Sequence, residues 1–271
     1  MRKIKTMKTN IPNILNEKIL KDYQRLNEND IFEFACHSGV PCFNKCCHDV
    51  NIFLTPYDII RLKNRLGISS TEFLEKYTLL PIDENLRHPI VMLKMEEGNH
   101  ACPFVTAKGC SVYGDRPWSC RMYPVGEATP NMNDNEDSFF FLLKEDVCKG
   151  YNEKGTKWTI KEWMKDQGVY DYILPGERFK QVSLHDFFAK AEAIEPVKVE
   201  MFYMVCYDID KFRSFVFEST FLKRFIIEEE DIELMKNDDI ELLLFGFRWL
   251  RYSLFGENVL EVNEEYGKPR A

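Results

Sequence analysis

The 271 residues contain no apolar run of the roughly 20 positions that a membrane-spanning helix needs. The richest apolar stretch, Ile240 to Phe255, is interrupted by Gly246, Arg248 and Arg251. The N-terminus starts basic, as MRKIKTMKTN, but no apolar segment of signal-peptide length and no small-residue cleavage site follow it. An excess of positive charge is lacking too, since the formal net charge is -8. Nonspecific binding to nucleic acid or to an anionic membrane requires clustered Lys and Arg, so neither partner is expected. There is no dinucleotide fingerprint, no phosphate loop, no nucleophile–base triad, no internal repeat and no low-complexity tract. These absences leave a soluble, cytoplasmic protein as the expectation. Thiols stay reduced in that compartment, so clustered cysteines there favour metal or redox chemistry over disulfides.

Apolar residues are plentiful. Hydrophobic residues make up 45% and aromatics 14%, enough to build a core in one large domain or two small ones. Residues 13–27 carry helical spacing, with Ile14, Leu15, Ile19, Leu20, Tyr23 and Leu26 on one side. Thr55 reads as an N-cap, with Pro56 at the first helical position and Asp58 in the first turn; Gly67 stops that helix after Leu66. A second helix starts at Ser69 or Ser70 and runs to about Tyr77. Ile90–Met95 and Phe139–Leu143 read as strands. Beyond Cys148 helix starts recur at Thr159, Ser183, Asp208 and Ser219, and the longest helix is expected over Asp239–Phe255. A boundary is placed near residues 172–182, around Pro175 and Gly176. The acidic run Glu228 to Asp231 reads as a helix N-terminus facing solvent. The aromatic stripe from Phe212 to Phe255 reads as a core of packed helices, with a cofactor or partner pocket as the alternative.

The chemistry lies in the cysteines. There are nine, and all but Cys206 fall before residue 149. The first group is CHSGVPCFNKCC, with five residues between Cys36 and Cys42, three between Cys42 and Cys46, and Cys47 adjacent. Gly39 and Pro41 make it a loop. In ACPFVTAKGCSVYGDRPWSCRMYP, seven residues separate Cys102 from Cys110 and nine separate Cys110 from Cys120. Residues 98–136, rich in Gly, Pro, Asn and Asp, are too long for an idle loop, and three cysteines lie within them.

Three readings compete. Buried free thiols explain Cys206 but not four cysteines within twelve residues of Gly- and Pro-containing loop. Disulfides suit neither the compartment nor a chain large enough to need no staples. Metal coordination suits soft thiolate donors brought together by short loops. The spacing differs from the paired Cys-x2-Cys knuckles of a zinc ribbon, and adjacent Cys46 and Cys47 fit several irons better than one tetrahedral ion. That tilts the reading from zinc to an iron–sulfur cluster. Two four-cysteine sites, one site with spare thiols, and a site with an open position all remain open. His37 and His48 flank the first group; with cysteines enough to fill four positions, both read as polar loop residues.

These residues resemble the YkgJ-like cysteine-cluster family, described as a zinc- or iron-chelating domain and shared with flagellin lysine-N-methylases. The likeness rests on the cysteines ending in Cys46–Cys47, on LTPYDIIRLKNRLGISSTEFLEKY, on the specific run from Cys110 to Pro124, and on CKGYNEKGTKWTIKEW, covering about residues 32–170. It implies metal ligands at Cys36, Cys42, Cys46, Cys47, Cys102, Cys110, Cys120 and Cys148. The family's first group is often tighter, near Cys-x-x-Cys-x-x-Cys-Cys, so the wider gap after Cys36 makes that residue the least firmly specified ligand.

Around the cysteines, Arg116 and Arg121 read either as residues that bind or tune an anionic cluster or substrate group, or as ties to a backbone carbonyl or a carboxylate such as Asp115. Tyr113 and Tyr123 read as structural tyrosines, and Pro117 and Pro124 as shapers of the ligand loop. The expected architecture is α+β. It consists of an N-terminal helical extension over 1–30, a small cysteine-rich, metal-organised domain with short strands and helices over 31–175, and a mainly α-helical region over 176–271. The leading functional expectation is an iron–sulfur protein of the 4Fe–4S kind, in redox transfer or in support of a modifying enzyme, working with a redox partner or a protein substrate. The alternatives are a lysine N-methylase using S-adenosylmethionine, implied by the resemblance alone, and a zinc-stabilised interaction module.

Overall fold

A computed structural model describes residues 23–80, 88–128, 138–152, 154–190 and 194–265. The fold is α+β, with short strands before residue 160 and mostly helix after it. The chain divides into two compact units. One takes the described residues of Met1–Leu54, Tyr77–Asn85 and Ile90–Ile173; the other takes those of Thr55–Lys76, Leu86–Pro89 and Leu174–Ala271.

The first unit is held by small antiparallel sheets, whose described strands are no longer than four residues. Ile31–Phe34 alternates exposed and buried positions, as a half-buried strand must, so Phe32 and Phe34 point inward. It pairs with Thr156–Thr159, with Phe34 opposite Thr156. Val91–Leu93 is the middle strand between Phe53–Leu54 and Thr78–Leu79. Val105–Thr106 and Gly109–Cys110 form a hairpin, and Val125–Ala128 pairs with Phe139–Leu142. The core gathers Phe32, Phe34, Met122, Val125, Ile160, Trp163, Met164 and Val169, with the half-buried Cys148 and Tyr151 packed on its edge. Helix Ile160–Asp166 begins with a reciprocal cap, in which Thr159 accepts from the Glu162 N–H and Glu162 accepts from the Thr159 N–H.

The second unit is helical. Helix Pro56–Leu66 runs between the expected signals, with the Thr55–Asp58 capping box at its start and Gly67, at φ +67°, at its end. Asp58 is fully buried. Helix Ser70–Tyr77 follows. The Ser70 hydroxyl donates to Asp208 at 2.7 Å, and the Ser70 N–H donates to Asp210 at 2.6 Å. Those bonds join this helix to the start of Ile209–Phe217. The buried Lys63 bridges Asp239 at 2.9 Å and Asp210 at 3.2 Å. Helix Asp239–Phe255 is the longest among the described residues, with 17 residues, and Asp238 caps it. Its Gly246 lets Val205 and Phe212 approach so closely that a Cβ would stand 2.6 and 2.9 Å from their side chains. Most of the aromatic stripe is core: Phe212, Phe221, Phe225, Phe245, Phe247 and Trp249 are buried.

Several expectations change. Most of the helix expected over 13–27 lies outside the described residues, and its last positions are not helical; Leu26 instead bridges Phe140. Pro175 and Gly176 themselves sit inside helix Ile173–Ser183, while the two units divide between Ile173 and Leu174. Pro175 is its third residue, where a missing N–H costs nothing, because the first N–H groups of a helix have no partner inside it. Ser183 ends that helix, and the next begins at Asp186. Ser219 starts no helix either. Its hydroxyl donates back to the Phe215 carbonyl at 2.6 Å and accepts from the Phe221 N–H at 3.1 Å, so it closes a turn. The acidic run does open a helix, Glu229–Asn237.

Candidate metal centre

Four chain segments bring the eight cysteines into the first unit. The first leaves strand Ile31–Phe34 and reaches Cys36. It then turns through Cys42 into a single 3-10 turn, Lys45–Cys47, which carries the adjacent pair. Asn44 starts that turn at φ +67°, a left-handed conformation that asparagine tolerates. The Asn44 side-chain amide donates to the Thr106 carbonyl at 3.0 Å and so pins the turn to the Val105–Cys110 hairpin.

The second segment lies alongside the first. The Cys102 N–H donates to the Cys47 carbonyl at 2.7 Å, and the Asp49 N–H donates to the His100 carbonyl at 2.9 Å. The Val105 N–H returns to the Cys102 carbonyl at 3.0 Å, and Val105 faces Cys110 across the hairpin. Gly109 makes the turn at φ +113°, against the ring of Phe43. The third segment is the short helix Trp118–Met122, which carries Cys120. The fourth is the Cys148 loop. There the Lys149 N–H donates to the sulfur of Cys42 at 3.1 Å, and the Ala35 N–H donates to the Gly150 carbonyl at 3.1 Å.

All nine cysteines are free thiols. Cys206 stands apart, fully buried in the helical unit. The other eight form a continuous electrostatic neighbourhood. Crowding by protein and then the charges of Cys46, Cys42 and Cys148 push the Cys36 thiol up to about 11. Cys36, the ligand that the sequence specified least firmly, thus has three sulfurs of the site around it. Cys47 donates to Cys46 and draws its pKa down to about 7, while the donor's own rises far above the usual thiol value. Burial raises Cys102 and Cys110. Beyond the sulfurs, burial and the sulfur of Cys148 hold the Tyr123 and Tyr151 hydroxyls above the ordinary tyrosine value, and Tyr123 donates to that sulfur.

The two arginines part ways. Buried Arg121 holds the ligand loop. It donates to the carbonyls of Arg116 at 2.9 Å, Gln167 at 2.8 Å and Gly114 at 2.5 Å, and to the Tyr172 hydroxyl at 3.1 Å. Arg116 donates to the Tyr113 carbonyl and to Gln167, and its guanidinium lies 3.9 Å above the exposed Tyr113 ring. Burial lowers its pKa; Tyr113 raises it, Arg121 lowers it, and Cys120 and Cys110 raise it. Arg116 therefore lies within electrostatic reach of the thiols, and Arg121 positions the chain that carries them. His37 and His48 make local contacts, His37 accepting from the Gly39 N–H and His48 lying 3.1 Å from the Asn44 carbonyl.

Sequence reasoning missed Gln167, Tyr172, Tyr151 and the Lys149 N–H. The first two lie far along the chain from the arginines they hold, and a backbone donor carries no residue signature.

The donor chemistry fits a soft metal: eight reduced thiols, a backbone N–H aimed at one sulfur, and an arginine beside two others. Among the described residues, no group of three or more His, Cys, Asp or Glu converges tightly enough to hold a metal ion. Residues 35–149 match the family model CxxCxxCC, described as "Putative zinc- or iron-chelating domain". That segment holds all eight cysteines of the first unit and excludes Cys206. Over that segment the chain is similar to this family's cysteine-cluster domain, whose description supports metal binding. No curated protein and no solved structure matches the chain. No helix among the described residues is long and apolar enough to cross a membrane.

Proposed function

We propose that the chain is an iron–sulfur protein whose cysteine-cluster unit holds its iron through thiolates and serves a redox step. The observation that carries this reading is the vicinal pair Cys46–Cys47, in a single turn among six further reduced thiols. Adjacent thiolates suit a group with several separate metal acceptors better than one tetrahedral ion. When bound, such a cluster accepts and donates single electrons. The chain's own part is to orient and tune. The Lys149 N–H donates to the Cys42 sulfur and so fixes where that sulfur sits. Arg116 places positive charge beside Cys110 and Cys120, opposing the accumulation of negative charge. The Tyr123 hydroxyl donates to Cys148 and withdraws charge from that sulfur.

The test is the visible spectrum of anaerobically purified full-length protein. A brown chromophore that dithionite bleaches and air restores supports the reading. A colourless protein with stoichiometric zinc and no iron overturns it in favour of a zinc-stabilised module, whose metal sets folding but carries no electrons.

A further inference from the structure

The aromatic stripe of the helical unit is not closed everywhere. Most of its rings are buried, but Phe215 is 38% exposed, and beside it lies a cavity of about 470 Å³. Small-molecule sites span roughly 300–1,000 Å³. Local structure accounts for the walls. Trp249, Tyr252 and Ser253 stand at spacings of three and four on helix Asp239–Phe255, so they share one face of it. Phe215, near the end of helix Ile209–Phe217, lies 5.5 Å from Trp249, ring centre to ring centre. Ser219 closes the turn that follows by donating to the Phe215 carbonyl. The chain then passes through the 3-10 turn Leu222–Arg224 to Phe225, which bridges Val262. These stretches line the cavity.

The rings suit a flat guest. Phe221 stands nearly perpendicular to Trp249 at 5.0 Å between centres, and Phe225 to Tyr252 at 5.6 Å. Crossed rings present both faces and edges, which favours another aromatic ring over an aliphatic chain.

Two polar groups at the cavity are left without partners. Trp249 is only 8% exposed, yet its indole N–H makes no hydrogen bond among the described residues. Other tryptophans find an acceptor: Trp158 donates to the Phe34 carbonyl at 3.3 Å and Trp163 to the Met122 carbonyl at 3.1 Å. A buried N–H with no acceptor is costly. The second group is Arg224. Its guanidinium has no ion-pair or hydrogen-bond partner among the described residues, and no acidic side chain among them lines the cavity. An anionic acceptor is the chemistry that both groups call for. A cation in this aromatic setting would meet Arg224 with no carboxylate to offset it.

We propose that this cavity binds a small aromatic carboxylate, its ring packed among Phe215, Phe221, Trp249 and Tyr252 and its carboxylate held by the Trp249 N–H and Arg224. The site belongs to the helical unit and is independent of the candidate metal centre, which lies in the other.

The experiment titrates the full-length protein with benzoate, 2-naphthoate and indole-3-acetate, followed by calorimetry and saturation-transfer NMR, with the matching amides as uncharged controls. At least one carboxylate should bind at one site per chain, about tenfold more tightly than its amide. Arg224→Gln, at an exposed position, should weaken that binding about tenfold. Trp249→Phe, which keeps a ring and removes the N–H, should weaken it about fivefold. An amide that binds as tightly as its acid, or binding unchanged in both variants, overturns the proposal. So does the absence of saturable binding by all three carboxylates up to about 1 mM. If Trp249→Phe loses its helical circular dichroism, Arg224→Gln and the amide controls decide the matter without it.

Discussion

Arg121 illustrates how a charged residue among thiols can serve the chain and not the metal. Its guanidinium accounts for three backbone carbonyls and one phenol, in a fork that an ammonium cannot reproduce. Arg121→Lys keeps the charge but cannot reproduce the fork, so bonds to the Arg116, Gly114 and Gln167 carbonyls are lost. It should cost about 3 kcal/mol of stability, read by denaturant unfolding. The glycines give a sharper contrast. A Cβ on Gly155 would stand 2.7 Å from the Phe34 carbonyl carbon, which is backbone and cannot move aside. Gly155→Ala should therefore destabilise the first unit by about 2 kcal/mol. Gly114 has nothing within 4 Å of such a Cβ, so Gly114→Ala should lie within about 0.5 kcal/mol of wild type. Equal effects for the two substitutions would contradict the packing described.

Whole elements were legible where their signals were local. Thr55, Pro56, Asp58 and Gly67 fix helix Pro56–Leu66 from within thirteen residues, and its bounds were read correctly from the sequence. Ser219 misled because a serine hydroxyl closes a turn as readily as it starts a helix, and only the neighbouring backbone decides which. Thr55→Ala removes the hydroxyl half of the capping box and should cost about 1 kcal/mol, seen as a lower melting temperature of the helical unit. Asp239 binds the same unit together through charge. Desolvation opposes its ionisation, but Lys63 and Arg213 outweigh that and hold its carboxyl below the ordinary 3.8. A depressed folded-state pKa contributes stability that is present above the unfolded value and lost as pH falls through the folded one. Asp239→Asn should thus cost about 2 kcal/mol near neutrality. The difference from wild type should shrink as pH falls below 3.8, as followed by urea melts across that range. A difference independent of pH would rule the ion network out as its source.

At the scale of the molecule, the sequence listed the candidate donors but not the contacts between the segments that carry them. Spacing along the chain placed Cys36 as the weakest member, because five residues separate it from Cys42. In space its partners come from the far end of the domain, through the Ala35–Gly150 and Lys149–Cys42 bonds, which no local pattern announces. The same holds for Gln167 and Tyr172, which brace the arginines from beyond residue 160. The central claim is that these thiols hold iron together with sulfide. It is tested most directly by assaying iron, zinc and acid-labile sulfide per chain in full-length protein purified without oxygen. The account predicts iron and sulfide in equal amounts, with zinc well below the chain concentration. Stoichiometric zinc without sulfide, or no metal at all, would contradict it.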